Sequence, residues 1–177
     1  MTTSSAPSSR AGKSATPIAL SRQLTQVALA LQAIRAGKSG AAVLKAVPAA
    51  LRPGVQSLLF QVLRNLGRAE ALRAQLAPKT PAPKVDALLC TALALAWHEA
   101  QAPYAPFTLV NQAVEAAKQG PAARQAGFIN GCLRRFLRER EALVASTDAD
   151  LQARWNHPRW WIDRLRKEYP TQWEQIL

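Results

Sequence analysis

From Leu20 onward the apolar positions of the chain step at helical intervals. Leu20, Leu24, Val27, Leu31 and Ile34 recur every three or four residues, and Gly37 follows as a stop. The stretch from Gly40 to Ala50 carries Val43, Leu44 and Val47, and Arg52-Pro53-Gly54 marks a turn. Val55, Leu58, Leu59, Val62, Leu63 and Leu66 form the strongest amphipathic stripe. At about 100° per residue, Arg64 falls opposite that stripe and Arg68 close to opposite. Arg73 and Leu76 carry the helix past a kink expected at Gly67, and Pro78, Pro81 and Pro83 mark a stiff linker over 77–84.

The second half continues in the same period. Val85, Leu88, Leu89, Ala92, Leu93, Ala96 and Trp97, with Ala94 and Leu95 between them, give a helix apolar on most sides, which places it at the centre. Pro103 and Pro106 bracket a loop, after which Thr108 is the expected cap of a helix ended by Gly120-Pro121. The last core helix is read over 122–140, with Ile129, Cys132, Leu133, Phe136 and Leu137 on one face. No alternation of strand length occurs, so the fold class is all-α. Beyond Ala145 the texture changes. Ser146-Thr147-Asp148 is read as opening a short helix, His157-Pro158 a second one bearing Trp161, Ile162 and Leu165, and Tyr169-Pro170 a last segment with Trp173 and Ile176. Three divisions follow: a disordered tail over 1–19, a helical domain over 20–145 and a Trp-rich connector over 146–177. The small, polar, acid-free tail also suits a transit peptide, but the same acid-free texture runs on into core helix.

Charge changes the picture more than size. The 177 residues hold 23 Lys and Arg against 11 Asp and Glu, a net charge of +12. Nine basic residues precede the first acidic one, Glu70, so the surplus lies in the folded part rather than in a tail. Such a field favours a polyanion, with nucleic acid ahead of an anionic membrane surface, although Arg-rich composition alone also decorates solvated helix faces. The longest apolar stretch is too short for a membrane span, and two cysteines make no disulfide framework, which suits a reducing cytoplasm.

Catalytic chemistry is sparse. His98 and His157 are the only histidines; the first is read as capping a helix end, the second as structural in its turn. Neither a C-x-x-C nor an H-x-x-x-H spacing occurs, so no metal site is expected, and Cys90 and Cys132 read as small core residues. Without strands there is no glycine-loop cradle for a nucleotide cofactor. Binding is the better case. Arg64 and Arg68 on one helix, with Arg124, Arg134, Arg135 and Arg138 on another, are the candidate RNA-binding residues, sharing one surface if those helices lie side by side. Arginine's planar fork contacts phosphates and stacks on bases.

Three segments carry a family resemblance. Leu58-Leu59-Phe60-Gln61-Val62-Leu63-Arg64-Asn65-Leu66 resembles the helix of NusB-like domains that ends in "G-V-L-R". The run from Ala105 to Lys118 is similar to their "hAavneAVelAk" helix, and Gly127-Phe128-Ile129-Asn130-Gly131-Cys132-Leu133-Arg134-Arg135-Phe136 to "GFVNaVLRrf". Gln61 stands where the family usually has Gly, and Gly131-Cys132 replaces the common "AV". The resemblance implies an all-α bundle of two helical subdomains that binds RNA. After it, Arg154-Trp155-Asn156-His157-Pro158-Arg159-Trp160-Trp161 and the Leu165, Tyr169-Pro170 and Trp173 positions resemble the connector of the RsmB/Sun/Fmu family of 16S rRNA cytosine-C5 methyltransferases. The implied partners are 16S rRNA and a C-terminal methyltransferase domain that uses S-adenosylmethionine. Neither cysteine matches that family's catalytic motifs, so no catalytic residue and no cofactor are carried onto this chain. A free-standing antitermination factor binding boxA-type RNA is the first rival, and a helical protein-interaction module the second. Trp160, Trp161, Leu165 and Trp173 are the candidate domain-interface residues. Neighbours on a helix point about 100° apart, so Trp161, in register with Ile162 and Leu165, is expected to be buried, and Trp160 more exposed.

Overall fold

The computed structural model of the chain describes residues 19–177. Of the tail expected over 1–19, all but Ala19 lies outside the described residues. Ten α-helices and two short 3-10 turns account for the fold, and no strand occurs among the described residues. The helices are α1 (Leu20–Arg35), α2 (Gly40–Ala46), α3 (Arg52–Arg64), α4 (Leu66–Leu76), α5 (Pro83–Ala96), α6 (Pro106–Gln119), α7 (Ala126–Thr147), α8 (Leu151–Trp155), α9 (Arg159–Glu168) and α10 (Trp173–Ile176). The 3-10 turns are Glu99–Gln101 and Ala123–Gln125.

Local chemistry sets many of the boundaries. α1 ends where Gly37 adopts φ +90°, a backbone region that L side chains rarely enter, and its N–H closes on the Ile34 carbonyl at 2.9 Å. Ser39 caps α2, its Oγ accepting from the Ala42 N–H. At the other end of α2, the Arg52 side chain donates to the carbonyls of Leu44, Lys45 and Val47, closing off the helix end. Prolines open α5 and α6, where a missing N–H costs nothing. The linker is therefore shorter than expected, and α6 begins at Pro106, so Thr108 lies inside the helix rather than capping it. α7 runs beyond the expected end, past a bend at Glu139 (φ −113°, ψ 17°), to Thr147. Ser146 and Thr147 thus close a helix instead of opening one. The cap of α8 is Asp150, whose carboxylate accepts from the Gln152 N–H at 2.9 Å.

Helix α5 is the axis of the molecule. Every residue from Val85 to Ala96 is buried. α1, α3, α4, α6 and α7 all pack on it, and α1 also meets α3 and α6. The shared core includes Leu24, Leu31, Leu59, Leu72, Leu89, Leu93, Leu109, Ile129, Leu133 and Phe136. Its interior also holds charge. Asp86 of α5 pairs with Arg35 and with Arg73, both at 2.8 Å, and Arg35 reaches Glu70 at 2.7 Å. Burial, with Asp86 beside it, pushes the Cys90 thiol up to about 11, which makes it an inert core group at neutral pH.

The run expected as one helix from Val55 to Leu76 is two. Asn65, with φ −116° and ψ 13°, ends α3 and starts α4, and its side-chain amide donates back to the Gln61 carbonyl. The break falls two residues before the expected kink and turns the following side chains to new directions. Arg68 is therefore not on the wet face. It is 5% exposed, lies over the Trp97 ring at 5.2 Å, and its Nη1 faces the Val144 carbonyl, Thr147 Oγ1 and the Asp148 carboxylate. A desolvated guanidinium needs such partners, and they come from the end of α7.

α8 rests on α4 through a contact that tolerates no side chain. A Cβ on Gly67 would lie 2.4 Å from the Gln152 carbonyl oxygen. Asn156, in the left-handed region at φ 54°, ends α8 and turns its side chain into the α3–α4 break. There its Nδ2 donates to the Leu63 carbonyl at 3.0 Å and its Oδ1 accepts from the Gly67 N–H. α9 packs on α8 and α10. Its buried side chains are Ile162 and Leu165, whereas Trp161 is only half-buried and lies edge-on to Trp160.

Candidate nucleic-acid interface

The arginines of this chain divide into those the fold consumes and those it leaves outside. Arg35, Arg52, Arg68 and Arg73 belong to the first set. Arg140 joins them, with its side chain mostly covered, its guanidinium over the Phe136 ring and an ion pair to Glu99. Among the expected RNA contacts, Arg64, Arg124, Arg134, Arg135 and Arg138 are exposed. Arg64 and Arg124 form no ion pair, and Arg134 donates only to the Asn130 side chain, at 3.1 Å. Arg135 and Arg138 share one carboxylate, Glu139, at 2.9 and 3.0 Å. Those two guanidinium groups hold the Glu139 carboxyl below the usual carboxylate range. One negative charge set between two positive ones leaves the patch basic.

These residues do not make a single surface. α3 packs on α1 and α5, while α7 packs on α6 and α4, so the helices that carry Arg64 and Arg134 are not side by side. The outer basic surface centres instead on α7. Arg134 forms one wall of an open groove of about 420 Å³ between α6 and α7, with Asn111 and Lys118 opposite and Gly127 and Asn130 along its floor. The single carboxylate there, Glu115, is already engaged by Gln119 and, at 3.9 Å, by Lys118. Arg138 faces a larger open hollow of about 730 Å³ that contains Phe107, Glu99, Glu139 and Glu141. Its acids outnumber its bases, which suits a polyanion poorly.

Arg64 stands in a separate groove of about 390 Å³ on the outer side of α3, with Ser57, Phe60, Gln61, Asn65 and Gln101. No carboxylate lines it. Phe60 was not singled out from the sequence, although it stands off the α3 stripe and is 42% exposed. An aromatic outside the apolar stripe of its own helix is the signal that would have found it.

At the C-terminal end, Trp160 is 67% exposed, and Trp173 is half-buried between the Trp155 ring and the Arg166 guanidinium. Leu165 is 4% exposed, so it holds the small helical cluster together and is not free for an external contact. Neither histidine is poised for catalysis. His98 does not cap; its Nδ1 is buried without a partner and its ring meets Trp97 edge-on. His157 Nδ1 lies 2.6 Å from the Trp155 carbonyl, a local turn contact. No cluster of His, Cys, Asp and Glu with metal-binding geometry occurs among the described residues, and no helix there is long and apolar enough to cross a membrane.

Comparison with known proteins fits this architecture. The model of the NusB family matches residues 21–138. Over 126 residues the chain is 37% identical to "Ribosomal RNA small subunit methyltransferase B" of Citrobacter koseri, covering 70% of this chain and 28% of that protein. The protein of that name from Enterobacter sp. strain 638 is 32% identical over 123 residues, again 70% of this chain and 28% of the relative. A "Probable ribosomal RNA small subunit methyltransferase B" of Coxiella burnetii is 39% identical over 70 residues, 40% of this chain and 16% of its own length. The matched part thus spans little more than a quarter of the Citrobacter and Enterobacter relatives and about a sixth of the Coxiella one.

Proposed function

The chain belongs to the NusB family, and from that premise we propose that it is the RNA-holding part of a small-subunit rRNA methyltransferase. The observation that carries this reading is the α6–α7 groove, where Arg134 and Lys118 stand among the amides of Asn111 and Asn130 with one carboxylate already engaged. Guanidinium and ammonium groups neutralise phosphates, amides meet base edges, and the backbone at Gly127 leaves the groove floor open. Arg124 and Arg135 are further exposed bases on α7 and the turn before it, whereas Arg138 faces the acid-rich hollow. The RNA envisaged is 16S rRNA.

In this reading methyl transfer to cytosine carbon 5, and the S-adenosylmethionine that supplies the methyl group, belong to a methyltransferase domain of the kind the relatives' names describe. The residues described here do not fit that cofactor. Without a strand among them there is no strand–glycine loop–helix cradle, and both cysteines are buried core groups. This chain's contribution is affinity and placement. Trp160, with Trp161 edge-on beside it, supplies an aromatic surface on which the methyltransferase domain would sit, and Trp173, against Trp155, is a further partly exposed ring of the same segment.

Replacing Arg134 and Arg135 together by Ala tests the reading. Binding to 16S rRNA fragments should weaken, and the slope of log affinity against log salt should flatten by about one for each lost phosphate contact. An unchanged slope would place the RNA elsewhere. Preference for boxA-type RNA over 16S fragments would favour the antitermination reading, and tighter binding to anionic vesicles than to RNA would reject both.

A further inference from the structure

The α3 groove is not absorbed by the surface on α7, and its chemistry is more specific than positive charge. Ser57, Phe60, Gln61 and Arg64 recur at helical spacing on the outer face of α3, with Asn65 at its end and Gln101 across the gap. Arg64 is exposed, has no ion pair and no carboxylate beside it. Phe60 shows an aromatic ring that contributes nothing to the core.

The polarity of the amides follows from what they touch. Gln61 approaches the Gln101 backbone carbonyl at 3.3 Å, and Asn65 approaches the Gln61 backbone carbonyl at 3.0 Å. A carbonyl oxygen only accepts, so each contact must be made by the side-chain NH2. The unengaged end of both amides is therefore an oxygen. The groove combines a part-exposed ring, a free guanidinium and two unused acceptors.

The geometry points to a site for one unpaired RNA base bearing an exocyclic amino group: adenine, cytosine or guanine. The base stacks on Phe60, the Gln61 and Asn65 oxygens accept from its amino group, and Arg64 takes the adjoining phosphate. Uracil has no amino group and offers only one ring N–H, set between two carbonyls, so it brings fewer donors to the two acceptors. A base paired in a duplex cannot reach the ring, which restricts the site to single strands. This inference rests on the RNA reading above and deepens it, adding a second contact region distinct from the α7 surface.

The test measures binding of the 177-residue chain to labelled oligo(A), oligo(C), oligo(U) and an RNA duplex. Oligo(A) and oligo(C) should bind roughly fivefold or more tightly than oligo(U), the scale of one or two discriminating hydrogen bonds. Phe60→Ala should weaken oligo(A) binding roughly tenfold, and Phe60→Tyr should restore it. Arg64→Ala should reduce the salt slope by about one. Both positions are on the surface, and circular dichroism would verify that the variants fold. If the chain binds RNA in a manner sensitive to Arg134 and Arg135, yet ignores base identity, Phe60 and Arg64, the α3 site is overturned and the α7 reading stands. Failure to bind any RNA overturns both.

Discussion

Arg64 and Arg68 are one helical turn apart in sequence and occupy opposite worlds. Arg64 ends α3 in an open groove, while Arg68, on α4, is sealed under Trp97 and the end of α7. The difference comes from Asn65. Without its break the two guanidinium groups would share a face; with it, α3 keeps its polar side outward and α4 turns Arg68 and Arg73 into the protein. Net charge therefore overstates the surface available to a polyanion, because several arginines serve as struts. The comparison also separates two uses of one side chain. Inside, the guanidinium is held by several fixed partners; outside, it keeps its donors for a ligand.

The sharpest way to break the comparison is to remove Arg68. Arg68→Ala would leave a cavity beside Trp97 and uncouple α4 from the Val144–Asp148 end of α7. Asp148 is half in solvent, so no carboxylate is stranded and the cost falls short of that of a fully buried pair. A loss of about 2–4 kcal/mol is expected in urea unfolding. Arg68→Lys should recover little, because an ammonium on a shorter stem lacks the planar face that lies over Trp97 while Nη1 reaches the end of α7. A loss under ~1 kcal/mol would show that Arg68 is not a strut.

Gly67→Ala comes next. The added Cβ meets backbone, the Gln152 carbonyl oxygen, and backbone yields less readily than a flexible side chain. About 1–3 kcal/mol is expected. The loss should be local: hydrogen exchange should rise in α8–α10 while α5 stays protected. Equal exchange in both proteins would mean that the contact relaxes without detaching α8.

The buried charges beside α4 give a pH-dependent version of the same contrast. The Cys90 thiol has its pKa raised to about 11, against about 8.5 for a free thiol. An acid whose pKa is raised by folding contributes stability that is complete below its unfolded value and lost as pH climbs through the folded one. Between about pH 9 and pH 11 the chain should therefore lose on the order of 2 kcal/mol more than a Cys90→Ala variant. Parallel stability curves for the two proteins would refute the assignment.

Much of this architecture is legible in the sequence, and the reasons for the rest are specific. The helices of the bundle announce themselves because each must bury one stripe, and α5 is marked as central because it has no polar face. The break at Asn65 is hidden because Leu63 and Leu66 continue the apolar stripe through it. Nothing local distinguishes Arg73, which pairs across the core with Asp86, from Arg64, which pairs with nothing. That distinction depends on partners supplied by other helices. Asn156 is invisible for the same reason, since its role is to fill a break opened by residues about ninety positions earlier. At the C-terminal end the spacing of Ile162 and Leu165 reveals the buried side of α9. It overstates Trp161, which borders that side and rests on Trp160 instead.

The smallest effect sharpens the comparison most. Arg64→Ala removes an exposed side chain with no ion pair, so unfolding free energy should change by less than about 0.5 kcal/mol. The α3 dipole makes the sign informative, because a cation in a last helical turn is mildly favourable, and Arg64 is the only basic residue in the last turn of α3. A slight destabilisation that fades with added salt is the expected result. If the variant is instead more stable, Arg64 is held at a cost to the fold, in a groove without a carboxylate to reward it. If it loses as much as Arg68→Ala, then Arg64 is also a strut, and the division between α3 and α4 fails at the residue that defines it.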